Sequence, residues 1–361
     1  MTVTSVAIGV RPTTGVAPLG ERSSGALSDT FGRVHRDLRI SLTDRCSLRC
    51  TYCMPEQGNE WLARSGILSL DEIERIARVA AGVGITTFRL TGGEPLLRTD
   101  IVEVVRRLAA ITGPDGTPVE LAMTTNGIRL PELLPDLMAA GLQRLNVSID
   151  TLHRDRFAAL TRRDRLDDVL AGIRAAQASG LRPLKLNAVA MRGVNDDEMV
   201  QLVEFALAHD AQQRFIEQMP LDAGHTWDRA QMVTREEILA ALATRWALTP
   251  VPGRGGAPAE RWLLDGGPQT VGVIASVTAP FCGDCDRLRL TADGQLRNCL
   301  FSTAEYDLMP TLRPAGGQGA EPMDAAIERV LRACVHGKLP GHAINDPSFL
   351  QPARGMNAIG G

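Results

Sequence analysis

DLRISLTDRCSLRCTYC, residues 37–53, decides how the chain is read: a short strand at 38–42 runs straight into a loop that carries Cys46, Cys50 and Cys53. Short apolar runs bounded by polar or Gly-containing turns are strand signals. Outward from this stretch the same unit recurs, with further strands expected at 86–90, 120–124, 144–149, 184–190 and 214–218. Helix-period segments lie between them at 71–81, 100–110, 132–140, 166–178 and 196–209, the first two preceded by Ser69 and Thr99 as N-caps. Six successive strand–helix units predict a parallel sheet with right-handed crossovers, either an incomplete barrel or a doubly wound sheet.

Beyond Pro220 the rhythm changes. One more helix at 234–242 and a Gly/Pro-rich loop (Pro252, Gly253, Gly255, Gly256, Pro258) precede runs at 261–264, 271–277, 288–291 and 296–298. These read as short antiparallel strands, the last two joined by a hairpin turn at Asp293-Gly294. A helix at 323–335 follows. Residues 1–30, rich in Gly, Ser, Thr and Pro without sustained periodicity, are expected to be a flexible extension. The division that results is an extension at 1–30, a barrel at 31–220 and a C-terminal α+β section at 221–361 covering the barrel mouth.

The 361 residues hold 39 Lys+Arg against 42 Asp+Glu, a formal net charge of −3, so no whole-molecule field draws the chain to nucleic acid or an anionic membrane. No apolar run approaches the roughly 18 residues that span a bilayer, and no secretory or transit pattern opens the chain; a cytoplasmic protein is expected. Its seven cysteines group as Cys46, Cys50 and Cys53, then Cys282, Cys285 and Cys299, with Cys334 left over. An odd number at such tight spacings argues against a disulfide framework and for metal or cluster ligation. Three thiolates on one loop can hold three irons of a 4Fe-4S cluster and leave the fourth open. Structural zinc with a distant fourth ligand, or buried thiols acting as small apolar groups, are the other readings.

The spacing Cys-x-x-x-Cys-x-x-Cys, with Tyr52 before its last cysteine, resembles the signature of the radical S-adenosylmethionine (SAM) superfamily, whose fold is a partial parallel barrel. Two stretches keep step with it. Thr91-Gly92-Gly93-Glu94-Pro95 resembles the GGE motif that receives the methionine amino group, where glycine lets backbone approach a ligand, and Ser148-Ile149-Asp150 matches the ribose-contacting position. The resemblance implies an incomplete (β/α)6 TIM-like barrel in which SAM chelates the open iron. One-electron cleavage would then give methionine and a 5′-deoxyadenosyl radical that takes a substrate hydrogen. Tyr52, Gly93, Ser148 and Met219 would contact SAM, and Tyr52 and Met219 read equally as packing residues.

Cys282-Gly-Asp-Cys285, followed after thirteen residues by Cys299, fits a zinc ribbon poorly, since a ribbon supplies two pairs; a second cluster with an open iron, placed across the barrel mouth, fits better. The segment from Cys282 to Thr291, with Asp293-Gly294 and Cys299, and the stretch from Gly32 to Cys46 are similar to the superfamily members that cyclise GTP at the start of molybdenum cofactor biosynthesis. That resemblance covers essentially everything after the extension. It implies two 4Fe-4S clusters, loss of hydrogen from ribose C3′, attack on guanine C8, and 3′,8-cyclo-7,8-dihydro-GTP as product. A cyclic pyranopterin monophosphate synthase downstream, a flavodoxin or ferredoxin as reductant, and a homodimer are the partners it suggests. Arg39, Arg89, Thr124, Lys185, Arg214, Arg287, Leu288 and Arg289 would bind GTP. Arg39, Arg287 and Arg289 would act in catalysis together with Gly360 and Gly361, since the family's tail of the same ending reaches into the active site.

Charge supports a triphosphate without the resemblance: Arg287 and Arg289 alternate, so they share one face of an extended segment, and guanidinium forks suit phosphate. Cys334 reads as a buried structural thiol, and none of the six histidines, His35, His225 and His342 among them, falls in a ligand spacing. The alternatives are a peptide-modifying member of the superfamily, whose auxiliary clusters commonly take more than three cysteines, and a zinc-dependent regulatory module. The loop at 113–118 is longer than the family's, which bears on the register of Thr124.

Overall fold

The computed structural model describes residues 25–360 apart from 59, 223, 315–321 and 348; the expected extension lies outside the described residues through residue 24. In chain order it forms β1 (Asp37–Ser41), α1 (Leu70–Gly82), β2 (Thr87–Thr91), α2 (Ile101–Ala109), β3 (Glu120–Thr125), α3 (Leu130–Ala139) and β4 (Arg144–Ser148). Then come α4 (Arg154–Thr161), α5 (Leu166–Ala178), β5 (Leu184–Ala190), α6 (Met199–Ala208), β6 (Ala211–Glu217) and α7 (Arg235–Ala243). The C-terminal part adds β7 (Leu248–Val251), β8 (Glu260–Leu264), β9 (Thr270–Ile274), β10 (Arg287–Leu290), β11 (Gln295–Arg297) and β12 (Tyr306–Asp307). Three helices complete it, α8 (Met309–Leu312), α9 (Met323–His336) and α10 (Met356–Ile359).

All twelve strands belong to one sheet, in the order β12-β11-β10-β1-β2-β3-β4-β5-β6-β9-β8-β7. The central eight, β10 through β9, are parallel throughout. The C-terminal runs read from sequence as short antiparallel strands. The hairpin β10–β11 and the pair β8–β9 are indeed antiparallel, but β10 also lies parallel to β1 and β9 parallel to β6, so the C-terminal section extends the barrel at both edges. Short strands carry no mark of a partner hundreds of residues away.

Alternation gives the sheet an apolar face toward the helices and a polar face toward an opening. Leu38 and Ile40, Phe88 and Leu90, Leu121 and Met123, Leu145 and Val147, and Leu184 and Leu186 are buried in one core with the helices. Each such side chain contributes about 1.5–3 kcal/mol. Their neighbours on the other face are Asp37, Arg39, Arg89, Thr124, Arg144, Asn146, Asn187 and Arg214, and they line one cavity of about 460 Å³. Small parallel barrels usually fill that interior with branched apolar residues. A polar, open interior here marks a site.

Local signals set the helices. Ser69 and Glu72 form a reciprocal capping box for α1, and Thr234 and Glu237 do the same for α7. At α2 the expected cap, Thr99, is not the N-cap; Asp100 holds that position without a side-chain cap, its carboxylate being engaged by Arg98. The loop at 113–118 closes on itself through a bridge between Thr112 and Pro118 and the bond from Gly113 N–H to the Thr117 carbonyl, 2.8 Å. It leaves β3 in register, with Thr124 opposite Asn146. No helix among the described residues is long and apolar enough to cross a membrane.

Candidate active site

The cysteine loop after β1 is fastened on two sides. The Arg49 and Thr51 N–H groups donate to the Thr161 and Leu160 carbonyls at the end of α4, at 2.9 and 3.0 Å. On the other side Gly93 N–H donates to the Thr43 carbonyl and Glu94 N–H to the Arg45 carbonyl, at 2.7 and 2.8 Å. A Cβ at Gly93 would lie 2.3 Å from the Arg45 oxygen, so only glycine permits this approach. Glu94 itself is buried, accepting from Leu96 N–H, the Thr125 hydroxyl and Asn126 N–H. Cys46, Cys50 and Cys53 all open onto the cavity.

Burial pushes the Cys46 thiol up to about 11 and Cys53 up to about 12, so these sulfurs hold a charge only beside a cation. Donors wait for that charge. The Asn126 amide lies 3.9 Å from the Cys46 sulfur, and the Asn357 backbone N–H faces Cys53. Tyr52 donates to Asp150 at 2.8 Å, and burial pushes the Asp150 carboxyl up to about 6. Ser148 and Met219 line the same end.

Cys282 and Cys285 bracket a single helical turn before β10, and Cys299 follows β11. Arg33 clamps this turn by donating to the Cys282 carbonyl at 2.7 Å. Lys338, buried, donates to the Arg287 and Asn298 carbonyls at 2.8 Å and stands 3.5 Å from the Cys285 sulfur, as does the Arg287 guanidinium. Burial raises the Cys285 thiol, but those two cations outweigh it and bring it down to about 7. Among the described residues no three His, Cys, Asp or Glu side chains converge on a point that a single metal ion could occupy. Thiolates at corners of an iron–sulfur cube bind different irons, so they need not converge.

Register fixes where the two triplets stand. Arg287 pairs with Asp37 at the start of β1, so Cys285 lies at the N-terminal end of the parallel strands, whereas Cys46 follows their C-terminal end. A strand rises about 3.3 Å per residue, so roughly 13 Å separates the levels of Asp37 and Ser41. The triplets therefore face each other along the barrel rather than across its mouth.

Between them lie the cations. Arg39 pairs in register with Arg89 on one side and Arg289 on the other, and Arg214 lies opposite Gly272, whose missing side chain leaves room for the Arg214 stem. Arg89 has Asp37 at 3.9 Å and Arg144 is paired with Glu120, but among the described residues Arg39, Lys185, Arg214, Arg287 and Arg289 have no carboxylate ion pair. Buried Nε atoms of Arg39, Arg89 and Arg287 lack acceptors. Burial, reinforced by the neighbouring guanidiniums, holds Arg39 well below the usual range, Arg289 at about 10 and Lys185 at about 7. Uncompensated buried cations are costly and a polyanion would relieve them.

Of the residues singled out from sequence, all six clustered cysteines, Tyr52, Gly93, Ser148, Met219, Arg39, Arg89, Thr124, Arg214, Arg287 and Arg289 line this cavity. Lys185 is buried two residues below Asn187 on the same face of β5. The Leu288 side chain is not in the cavity wall; it is fully buried in the apolar core on the opposite face of β10. Gly360, at φ +80°, offers its carbonyl to Arg289, and Gly361 lies outside the described residues. Cys334 is buried in the core.

Sequence reading misses several neighbours of the site. Arg144, Asn146 and Ser148 share one face of β4, so alternation could have found Arg144. Asn126, Lys338 and Asn357 carry no motif, and Arg33, inside the resembling stretch that begins at Gly32, is given no role from sequence. His342, given no role, lines the cavity with its ring on the Ser276 carbonyl at 2.8 Å.

Comparison with known proteins bears on the whole arrangement. The sequence profile of the Radical SAM superfamily matches residues 40–206, and that of Molybdenum Cofactor Synthesis C matches residues 211–344. The chain is 54% identical over 338 residues to the GTP 3′,8-cyclase of Streptomyces coelicolor, covering 93% of this chain and 96% of that one. It is 50% identical over 356 residues to GTP 3′,8-cyclase 2 of Mycobacterium tuberculosis, covering 97% of this chain and 96% of that one. Among solved structures, Streptococcus suis SuiB bound to S-adenosylmethionine shares the fold with a TM-score of 0.57 at 14% identity, over 90% of this chain and 77% of that one.

Proposed function

The chain belongs to the GTP 3′,8-cyclases of the radical SAM superfamily, and from that premise we propose that it cyclises GTP to 3′,8-cyclo-7,8-dihydro-GTP at the start of molybdenum cofactor biosynthesis. The observation that carries the reading is a single cavity with a cysteine triplet at each end and unpaired cations between them. Cys46, Cys50 and Cys53 would hold one 4Fe-4S cluster and Cys282, Cys285 and Cys299 another. Bound there, the first cluster and SAM supply the 5′-deoxyadenosyl radical that removes the ribose C3′ hydrogen.

The remaining work falls to the chain. Arg39, Arg89, Lys185, Arg214, Arg287 and Arg289 offer fixed positive charge to a triphosphate, and Arg forks hold it in one orientation. In this reading Arg287, stacked 4.5 Å over Phe281, stands where it can touch both nucleotide and Cys285. Gly93, Ser148 and Tyr52 at the other end suit SAM, with Met219 as an apolar side. Gly360 would hold Arg289 and Thr124 would meet the nucleotide from β3. With its side chain turned into the core, Leu288 would have only its backbone to offer the nucleotide. We further propose that the product passes to a cyclic pyranopterin monophosphate synthase and that a flavodoxin or ferredoxin supplies electrons in the cytoplasm, with the chain acting as a homodimer.

Anaerobic reconstitution with GTP, SAM and dithionite should yield 5′-deoxyadenosine together with the cyclised nucleotide, in equal amounts at early times. Turnover of a peptide in place of GTP, or stoichiometric zinc without iron, would sink the assignment.

A further inference from the structure

Lys338 is a buried cation that the nucleotide site does not account for. It follows α9, whose Leu331 and Cys334 are anchored in the core, and a Cβ at Gly337 just before it would collide with the Tyr306 hydroxyl of β12. The end of the helix thus fixes where Lys338 starts. Its ammonium donates to the Arg287 and Asn298 carbonyls, each at 2.8 Å, and to the Cys285 sulfur at 3.5 Å. Arg287 lines the cavity and Lys338 does not, so Lys338 reaches Cys285 from the protein side.

All three legs of the second triplet meet this segment. Arg287 lies two residues after Cys285 and Asn298 immediately precedes Cys299, so one ammonium ties the β10–β11 hairpin across its base. The Asn298 side chain adds a bond to the Cys334 carbonyl of α9 at 3.1 Å. On the remaining side Arg33 donates to the Leu339 carbonyl at 2.7 Å while it holds the Cys282 carbonyl. Among the described residues no carboxylate pairs with Lys338, although the residue is only 5% exposed. A buried ammonium without a counter-charge is costly, and the partner in contact with it that can turn negative is the Cys285 sulfur.

We propose that Lys338 is a positioning residue for the second centre: it fixes the Cys285 and Cys299 legs relative to each other and supplies the positive charge that offsets the Cys285 thiolate. The inference rests on the reading of Cys282, Cys285 and Cys299 as cluster ligands. An ammonium held beside a ligand sulfur favours the state that carries the extra electron, so its loss makes that centre harder to reduce. Groups that support a ligand from behind also govern how firmly the metal is kept.

The test compares Lys338→Gln, which keeps a donor without the charge, and Lys338→Arg, which keeps the charge, with the unaltered full chain. After anaerobic reconstitution, redox titration by electron paramagnetic resonance should place the centre that SAM does not perturb at a more negative midpoint in Lys338→Gln. An iron chelator should strip that centre about tenfold faster. Lys338→Arg should stand close to the unaltered chain in both measurements, and the SAM-responsive centre should be unmoved throughout. An unmoved midpoint in Lys338→Gln, or an equal shift in Lys338→Arg, overturns the proposal. Should Lys338→Gln assemble only about four irons, retention of about eight by Lys338→Arg supports it and the same loss from Lys338→Arg overturns it. About four irons in the unaltered chain would overturn the reading of the second triplet itself, whereas about eight with an unmoved midpoint in Lys338→Gln overturns the role of Lys338 alone.

Discussion

Lys185 is the side chain whose charge is most open to question. Burial lowers it first, and Arg214, Arg144 and Arg89 lower it further, to about 7 against an ordinary lysine value of 10.5. Between those two pH values the unfolded chain binds a proton that the folded chain does not, so folding stability should rise as pH climbs from 7 toward 10. A triphosphate reverses the balance by favouring the ammonium. Nucleotide binding at pH 8 should therefore take up part of a proton, and affinity should fall as pH rises from 7 to 9. Titration calorimetry at pH 8 in two buffers of different ionisation enthalpy measures the uptake directly. In Lys185→Met the uptake should vanish and affinity should drop severalfold at pH 7; no uptake in the unaltered chain would remove Lys185 from the site.

Elements differ in how far they can be read from sequence, and the reasons are physical. β1 to β6 repeat an apolar face and are bounded by turns, so they are legible within a residue or two at most ends. α4 is not: it has no continuous apolar stripe, burying only Phe157, Leu160 and Thr161, yet its last turn secures the cysteine loop. β7 escapes because its two middle residues, Thr249 and Pro250, are exposed and a proline hides it at the sheet edge. The partnership of β10 with β1 is invisible for another reason, since parallel pairing is set by tertiary packing and leaves no local pattern. Motif spacing finds the cysteines and Gly93, while Arg33 and Lys338 act on carbonyl groups distant in sequence and leave no spacing to find.

β10 also yields a test. Its alternation sends Arg287 and Arg289 into the cavity and Leu288 into the core, so Leu288→Ala should behave as a cavity mutant, costing about 2–5 kcal/mol of stability. GTP affinity should stay within about twofold, because the removed atoms face the helices. Anaerobic urea unfolding and equilibrium dialysis measure the two effects. A large affinity loss at unchanged stability would return the Leu288 side chain to the nucleotide.

At the scale of the whole molecule the formal charge of −3 hides a strongly positive interior, because many of the carboxylates that balance it pair with arginines outside the cavity such as Arg107, Arg154 and Arg156. The two centres are separate in the same way: one triplet depends on the β1 loop and α4, the other on the β10–β11 hairpin with Arg33 and Lys338. If each triplet binds independently, reconstitution should give about eight irons per chain, and replacing Cys46, Cys50 and Cys53 by Ala should leave about four. That variant should lose SAM cleavage while still binding GTP, since the cations near Cys285 and the second centre are intact. The reciprocal variant, with Cys282, Cys285 and Cys299 replaced, should keep a SAM-responsive cluster and lose GTP affinity. Iron analysis with electron paramagnetic resonance and nucleotide dialysis on both variants checks the pair; loss of all iron from either would mean that the centres assemble as one unit, and that the hairpin is a folding partner of the first loop rather than an independent holder of substrate.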